Sequence, residues 1–324
     1  MGIIMEKIIN YKKMTAGQFF EKFATLIGLL VVITIFAILK PKFLDVNNIF
    51  NLLRQASING LLALGMTFVV LTGGIDLSVG SILGASGIFA ALVAQNQNIP
   101  WFVAVLVGLG VGFLLGSVNG IVISWLKVPA FVATLGMLSV ARGVTYLASN
   151  AQPVPGLSEG FLKIGGGSVG IIPIPVIILA VVFVICSVLI YRARYGRYIF
   201  GVGGNAKAAR VSGINVKKIK WSAYMIAGVL SGLAGVVLTS RVSSGLAMAG
   251  QNYETDAIAA VVMGGTSLAG GRGRLWGTLV GVLIIAVLNN GLDMMAVSSY
   301  WQLIIKGLII IAAVMMDSLN SSND

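Results

Sequence analysis

Long runs of apolar residues constrain the fold of this chain more than any other feature of its sequence. One run covers Ile58–Ala94, another covers Trp101–Trp125, and Asp76 is the only charged residue in either. A helix needs about 20 apolar residues to cross about 30 Å of hydrocarbon. Charged residues make up 10% of the chain, against about 25% in soluble domains. The sequence therefore predicts an all-α polytopic membrane protein and excludes a soluble globule and a disordered chain.

About ten segments are predicted to cross the membrane as helices. They are Phe23–Leu39, the two halves of Ile58–Ala94 on either side of a break at Thr72–Ser78, Trp101–Trp125, Pro129–Ala148, Ile174–Tyr191, Trp221–Ser240, Ala257–Thr266, Leu275–Asn289 and Tyr300–Met316. Ala257–Thr266 is short, so a half-helix or a re-entrant element remains an alternative there. Asp45–Gln55 has apolar residues at helical spacing, which predicts a separate amphipathic helix in the interface with Asp45 as its N-cap.

The distribution of basic residues predicts the orientation of these crossings. The net charge is +12, from 22 basic and 10 acidic residues. Ten crossings place both termini on one side, and that side receives most of the basic residues, so it is predicted to be cytoplasmic. The predicted organisation is a tail at 1–22, a single membrane domain at 23–317 with a cytoplasmic loop at 192–220, and a tail at 318–324. The charge is a topology signal, and no nucleic acid partner is expected.

Missing residue types exclude most catalytic chemistry. The chain has no histidine and a single cysteine, Cys186, which lies within an apolar run. A zinc site, a serine–histidine–acid triad, a cysteine–histidine nucleophile and a disulfide framework are therefore excluded. We expect no catalytic residue, no metal ion and no cofactor bound by this chain, which disfavours an intramembrane enzyme.

The cytoplasmic loop Arg192–Lys220 is rich in basic residues and has internal order. Gly203-Gly204-Asn205 precedes the helix-prone run Ala206–Arg210, which ends before Ser212-Gly213. This pattern predicts a turn, a short helix on the membrane surface and a glycine stop. Glycines around a short helix favour a functional knob that points into the cytoplasm. A solvated basic loop that only fixes orientation remains the alternative.

The break between the second and third crossings places a carboxylate, Asp76, close to hydrocarbon. Intramembrane acids are functional candidates because a charged group at the centre of a span costs roughly 2.5–3.5 kcal/mol. Gly73-Gly74 would let the helix break and direct backbone groups into a cavity. Asp76 could contact solute or cap the helix that begins near Ser78. A similar glycine pattern recurs at Gly264–Leu268, through duplication or through the same need for a tight helix break.

Polar side chains within the predicted crossings are candidates for a solute pathway. Asn and Thr side chains also join helices by hydrogen bonds in a bilayer, and that interpretation stays open for each of them. Arg142 is predicted to pair with an acid, for which Glu254, Asp256 and Asp293 are available. Lys306 is predicted to snorkel or to pair. The pathway candidates are Asp76, Ser78, Asn119, Thr134, Asn289 and Asn290.

Several long segments, taken in order, resemble one family. They are GMTFVVLTGGIDLSVGSILG from Gly65, YGRYIFGVGGNAKAARVSGINVKKIK from Tyr195, and DAIAAVVMGGTSLAGGRGRLWGTLVG from Asp256. In these segments the chain is similar to the membrane subunits of bacterial ABC importers of the ribose/xylose/arabinose/galactoside type. The resemblance implies a multi-pass permease of the bacterial cytoplasmic membrane that works with a second copy of itself. It implies a monosaccharide cargo, ribose first, with xylose, galactose, allose, a nucleoside or a furanose signalling molecule as alternatives.

The same resemblance implies which partner subunits supply the energy and the solute, and which part of this chain contacts the ATPase. A separate cytoplasmic ATPase subunit would hold ATP and Mg²⁺, an extracytoplasmic sugar-binding protein would deliver the solute, and membrane lipid would surround the chain. In this family the large cytoplasmic loop contains a coupling helix that fits a groove of the ATPase. Carried onto this chain, the coupling residues are Arg197, Gly203, Gly204, Asn205, Ala208, Ala209, Arg210 and Gly213.

An ion-coupled secondary transporter is the main alternative class. Such a carrier needs titratable or ion-coordinating groups near the middle of the membrane. Asp76 and Asp293 are the candidates, and the chain has no histidine for a proton relay. We therefore expect transport that depends on ATP rather than on a proton gradient.

Overall fold

The computed structural model describes residues 16–321, and this part of the chain is mostly helical. Its helices are α1 (Ala16–Leu39), α2 (Val46–Leu71), α3 (Val79–Ala94), α4 (Trp101–Ser124), α5 (Ala130–Ser149), α6 (Glu159–Gly166), α7 (Ile174–Ser187), α8 (Arg194–Gly204), α9 (Ala206–Val211), α10 (Val216–Val242), α11 (Tyr253–Met263), α12 (Leu275–Met294) and α13 (Ser299–Ser321). A 3₁₀ turn at Pro41–Leu44 follows α1, and a π turn at Val188–Arg192 extends α7. Ser168–Val169 (β1) and Ile172–Pro173 (β2) form an antiparallel hairpin. Residues 1–15 and 322–324 of the predicted tails lie outside the described residues.

The apolar helices indicate a multi-pass membrane protein. Six of the described helices are long and apolar enough to cross a membrane: α2, α4, α5, α7 together with its π turn, α10 and α12. Three further apolar helical segments are shorter, namely Thr25–Leu39 within α1, the whole of α3, and Ser299–Ala312 within α13. The count of ten crossings and the side on which the termini lie remain predictions.

Helix α11 is too short to cross the hydrocarbon core. It has 11 residues, and at 1.5 Å per residue it reaches about 16 Å, roughly half the thickness of the core. It begins after Asn252, whose backbone is left-handed with φ at 66°, and ends before Gly264. The half-helix alternative for Ala257–Thr266 therefore agrees with the structure.

Helix α2 is continuous over 26 residues, so the prediction of a separate amphipathic helix at Asp45–Gln55 is wrong. The segment 55–58 contains neither proline nor glycine, so nothing in it ends a helix. Asp45 is the N-cap, as predicted, because its Oδ1 accepts a hydrogen bond from the Asn47 N–H at 2.8 Å. From Ala56 onward every residue of α2 is buried, which places this helix at the centre of the fold.

Helices α4 and α10 pack at backbone distance because glycines face each other. A Cβ atom at Gly112 would lie 2.9 Å from the Cα of Gly232, and one at Gly116 would lie 2.8 Å from the Cα of Gly228. Small residues four apart let helices approach closely in a bilayer, where lipid supplies no hydrophobic drive for their association. Helix α10 also packs along α2, so it lies between α4 and α2. The main hydrophobic core is formed by residues of α2, α10, α11 and α12.

The outward faces of several helices remain apolar. Leu147 of α5 is 80% exposed, and Leu106 and Leu114 of α4 are each 61% exposed. Extended apolar surfaces mark contact with a membrane or with another protein. This surface is the one expected of a chain that lipid surrounds.

Candidate functional site

The break between α2 and α3 lies where the glycine pattern predicts it. Helix α2 ends at Leu71, and the hydroxyl of Thr72 donates a hydrogen bond to the carbonyl oxygen of Val69 at 2.7 Å. Gly73 then has φ at +74°, a left-handed conformation that glycine adopts without steric cost. The chain re-enters a helix at Val79. The predicted break at Thr72–Ser78 is confirmed.

Asp76 is fully buried in this break. Its Oδ1 accepts hydrogen bonds from the Ser78 N–H at 2.9 Å and from the Ser78 hydroxyl at 2.6 Å, while Ser78 is the N-cap residue of α3. The Oγ of Ser78 in turn accepts from the Asn119 amide at 2.8 Å, which ties the break to α4. Asp76 thus orders the start of α3, as its capping interpretation requires. Asp76, Ser78 and Asn119 are each at most 1% exposed.

Three glycine-rich segments that are distant in the sequence meet at the end of α2. We call this contact the glycine junction, and it comprises Leu71–Gly73, Gly203-Gly204 and Gly270-Gly271. The Gly271 N–H donates a hydrogen bond to the Leu71 carbonyl at 3.0 Å. A Cβ atom at Gly203 would collide with that carbonyl and with the Gly271 nitrogen, and one at Gly270 would lie 2.7 Å from the Gly73 nitrogen. The junction therefore joins the loop 192–220 to both glycine patterns by direct backbone contact.

The loop 192–220 contains the predicted short helix and glycine stop, but not the predicted turn, because Gly203 and Gly204 end a helix and only Asn205 lies between the two helices. The Oδ1 of Asn205 accepts hydrogen bonds from the N–H groups of Lys207 and Ala208, each at 3.0 Å, and so caps α9. Helix α9 ends at Val211, and Gly213 follows with φ at +84°. These local features are confirmed, and the role of the loop in coupling remains a prediction.

Sequence reasoning missed helix α8. This 11-residue helix precedes α9 and ends at the glycine junction. Its buried residues are Gly196, Ile199 and Val202, three apart along the chain. That spacing is a helical signal, but the basic and aromatic residues between these positions hide it. Helices α8 and α9 together form an elbow with Asn205 at its corner.

The candidate coupling residues divide between two faces of this elbow. Ala209 is 6% exposed and packs with Val202 and Val216, so it lies on the inner face of α9. Val211 is 90% exposed. The candidates on the exposed face are Arg197, Gly204, Asn205, Ala208, Arg210 and Gly213. Gly203 is partly buried within the glycine junction.

A polar cluster lies between α11, α12 and α13. Lys306 pairs with Asp256, with Nζ at 3.1 Å from Oδ1 and 3.2 Å from Oδ2, so the pairing predicted for Lys306 is confirmed. The amide of Asn289 donates to Asp256 Oδ2 at 3.1 Å. Asp256 and Asn289 are 4% and 5% exposed. The cluster borders a cavity of about 220 Å³.

The remaining polar candidates are engaged in helix contacts. Asn290 exchanges two amide hydrogen bonds with Asn48, at 2.8 and 2.9 Å, and so joins α12 to α2. The hydroxyl of Thr134 donates to the Ala130 carbonyl of its own helix at 2.8 Å. The structure therefore places neither side chain in contact with Asp76 or with the polar cluster.

Within the described part of the chain Arg142 forms no ion pair at contact distance, although Glu254, one of the predicted acids, lies close enough to interact with it electrostatically. Its Nη1 instead donates hydrogen bonds to the carbonyl oxygens of Ala247 and Ala249, at 2.7 and 2.9 Å. These carbonyls lie in the segment between α10 and α11, where no helical partner takes them up. A guanidinium can satisfy such free carbonyls because all of its nitrogens are donors.

Comparison with known proteins shows similarity along most of the chain. Residues 48–314 match the family described as branched-chain amino acid transport system, permease component. The ribose import permease protein of Bacillus subtilis (strain 168) is 48% identical over 304 residues, which cover 93% of this chain and 94% of that protein. The ribose import permease protein of Escherichia coli (strain K12) is 47% identical over 298 residues, 91% of this chain and 92% of that protein.

A transporter named for a different sugar is also similar. The D-allose transport system permease protein of Escherichia coli (strain K12) is 41% identical over 311 residues, 96% of this chain and 95% of that protein. No solved structure matches the chain.

Proposed function

This chain belongs to the family of transport-system permease components, and on that premise we propose that it is the membrane-spanning subunit of an ATP-driven importer for ribose. One observation carries the proposal, namely identity at nearly half of the positions with ribose import permeases over more than nine tenths of both chains. The family match at 48–314 includes the break at Asp76, the α8–α9 elbow and the polar cluster. The similarity is therefore not confined to one motif.

In this proposal the chain forms the transport path, one partner supplies the energy, and another partner selects the solute. A cytoplasmic ATPase subunit binds ATP and Mg²⁺, and an extracytoplasmic binding protein delivers ribose. Two copies of the chain in the cytoplasmic membrane form the path, and both termini and the elbow face the cytoplasm. The basic residues of the elbow support this orientation, since cytoplasmic segments carry an excess of Lys and Arg.

The elbow is the proposed contact with the ATPase. Its exposed residues Ala208, Arg210 and Val211 present a small surface with one cation and one large apolar side chain. Ala209 supports that surface from beneath, through its packing with Val202 and Val216. Ala209 is therefore proposed to position the contact residues rather than to touch the partner.

The glycine junction is the proposed route by which motion of the elbow reaches the membrane helices. Helix α8 ends against Leu71 of α2 and against Gly270-Gly271, which precede α12. Backbone-to-backbone contacts have no flexible side chain between them to absorb a displacement. A shift of the elbow would therefore move α2 and α12 as rigid elements, in the manner of rigid-body transitions in other proteins.

Uptake of labelled ribose tests the proposed function and its source of energy. Cells that lack their own ribose importer and express this chain with its ATPase and binding protein should accumulate ribose. Accumulation should survive collapse of the proton gradient and stop when ATP is depleted. The opposite dependence would support an ion-coupled carrier and refute the proposal.

Competition by unlabelled sugars tests the cargo. The 41% identity with a D-allose permease makes allose the second candidate. Ribose should compete at the lowest concentration, followed by allose. Stronger competition by allose would assign the chain to a related importer of the same family.

Accessibility of the elbow tests its orientation. Cys186 is the only cysteine of the chain and is buried, so a Cys186→Ser background permits single-site labelling. A cysteine placed at Lys207, which is exposed, should react with an impermeant maleimide in inside-out vesicles and remain unlabelled in intact cells. Labelling in intact cells would contradict the cytoplasmic position.

A further inference from the structure

The cavity beside the polar cluster is lined mainly by polar residues, three of which, Asp256, Asp293 and Lys306, are charged. Its volume is about 220 Å³, and its lining includes Asn59, Asp256, Asn289, Gln302 and Lys306, with Leu303 as an aliphatic member. This volume far exceeds the space that one water molecule needs, and it lies just below the range of about 300–1,000 Å³ typical of drug-sized ligands. The cavity therefore has the size and polarity for a small hydrophilic solute.

Two buried amide oxygens, on residues that line this cavity, have no hydrogen-bond partner in the described part of the chain. They are the Oδ1 atoms of Asn59 and Asn289, and the two residues are 4% and 5% exposed. Leaving a buried acceptor unpaired is costly, so such groups are rare in folded proteins. The orientation of the Asn289 amide is fixed, because its nitrogen donates to Asp256. The two unpaired oxygens thus belong to cavity-lining residues, but neither atom is accessible from the cavity until its side chain moves.

This set of groups is complementary to hydroxyls. Free amide oxygens and the Asp256 carboxylate accept hydrogen bonds, while the Lys306 ammonium donates. A sugar hydroxyl does both, so adjacent hydroxyls can satisfy an acceptor and a donor of the wall together. Lys306 neutralises Asp256, with which it pairs at 3.1 Å, while Asp293, which is exposed and accepts a hydrogen bond from Gln302 at 2.8 Å, adds a second carboxylate to the lining.

The position of the cavity separates it from the coupling machinery. Asn59 precedes Leu71 of the glycine junction by 12 residues on the same continuous helix, which corresponds to about 18 Å. In the proposed orientation the cavity lies in the extracytoplasmic half of the chain. A solute released by a binding protein would reach it before any part of the elbow.

We propose that Asn59, Asn289, Asp256 and Lys306 form a low-affinity receiving site for a neutral polyhydroxylated solute, a monosaccharide. This inference rests on the proposed transport function and adds a location and a ligand chemistry to it. The two amide oxygens accept hydrogen bonds from sugar hydroxyls once their side chains turn toward the cavity, and Lys306 cancels the charge of Asp256. Since selection belongs to the binding protein, a millimolar affinity is sufficient and permits rapid release.

Isosteric removal of the free acceptors tests the site. Asn59→Leu and Asn289→Leu keep the branching and the number of heavy atoms of the side chain and remove the unpaired oxygen. Ser86→Ala is the matched control, because the Ser86 hydroxyl is also buried without a partner but lies on α3, outside the cavity lining. The assay is ribose uptake into proteoliposomes that contain the permease, its ATPase and its binding protein, with ATP hydrolysis and thermal unfolding measured on the same preparations.

The site predicts opposite effects on stability and on transport. Asn59→Leu should lower ribose uptake at least tenfold, leave binding-protein-stimulated ATP hydrolysis within twofold of the wild type, and leave the melting temperature equal or higher. Ser86→Ala should change none of these by more than twofold. Uptake within twofold of the wild type in both Asn59→Leu and Asn289→Leu would overturn the site.

Direct binding of D-ribose to the wild-type permease tests the proposed site even if a variant fails to fold. Saturation-transfer NMR on the detergent-solubilised chain should show D-ribose contacts that saturate at millimolar concentration. Absence of such contacts up to about 50 mM would overturn the site. Wild-type proteoliposomes that import allose but not ribose would refute the cargo alone, and the same variants would then be scored with allose. Import of no sugar at all would refute the proposed function, while the NMR titration would still decide the site.

Discussion

Alanine substitutions at two adjacent glycines should change the stability of this chain in opposite directions. A Cβ atom at Gly203 would collide with the Leu71 carbonyl and the Gly271 nitrogen, whereas one at Gly204 would meet nothing within 4 Å. Overpacking costs typically 1–3 kcal/mol, and displacing the Gly271–Leu71 hydrogen bond costs about 1 kcal/mol. Alanine in place of glycine in a helix recovers up to about 1 kcal/mol. Gly203→Ala should therefore destabilise the fold by about 1–3 kcal/mol.

A Cβ atom at Gly204 meets no neighbouring atom, so Gly204→Ala causes no steric collision and keeps the higher helix propensity of alanine. Gly204 is exposed and its φ is not left-handed, so the substitution should stabilise the chain by about 0.4–1 kcal/mol through the unfolded state. Thermal unfolding of both variants in the same detergent, followed by tryptophan emission, measures the difference against the wild type. A melting temperature that falls for Gly203→Ala and does not fall for Gly204→Ala is expected. Equal shifts in the two variants would show that the glycine junction is not a close backbone contact.

Three further predictions concern the ends and contacts of the helices. Asp45→Ala removes the N-cap of α2 and should cost about 1 kcal/mol of stability, which thermal unfolding detects; an unchanged melting temperature would contradict the cap. Asn290→Leu leaves the Asn48 Oδ1 without its donor, while the Asn48 amide nitrogen keeps its hydrogen bond to the Phe43 carbonyl at 2.9 Å, so the variant should cost about 1 kcal/mol. The double variant with Asn48→Leu should cost less than the sum of the two single variants; strict additivity would show that the two amides do not interact. Val211→Glu changes a side chain that is 90% exposed, so it should leave the melting temperature unchanged while abolishing ATP-driven ribose uptake, and uptake at the wild-type rate would remove Val211 from the proposed ATPase contact.

The helices that the sequence predicts well are those whose signal is local. The apolar runs give α4, α5 and α7 within a few residues of their ends, because length and hydropathy alone define such segments. The break before α3 is also local, since Gly73 takes a left-handed conformation that few other residues adopt. The cap at Asn205 follows from a single side chain and its next three residues.

The features that sequence reasoning missed depend on contacts between distant segments. Helix α2 continues through Gln55 because its later residues are buried at the centre of the fold, which an interfacial pattern does not reveal. Arg142 donates hydrogen bonds to backbone carbonyl oxygens. A sequence shows which acidic residues are available as partners, but it does not show which backbone carbonyls the fold leaves without a helical partner. The cavity brings Asn59 of α2 beside Asn289 of α12. The sequence signal for this cavity is a single asparagine, Asn59, within the apolar run that follows Gln55.

The glycine contact between α4 and α10 limits how this protein can move during a transport cycle. These helices touch through their main chains at Gly112 and Gly232, and Val236 and Trp221 of α10 pack against Gly108 and Gly120 on either side of that contact. Separating them would lose the close van der Waals contacts that small residues permit, and such contacts, rather than a hydrophobic drive, hold helices together in lipid. We therefore expect α4 and α10 to move as one rigid unit during transport. Any helix interfaces that slide must lie elsewhere in the bundle.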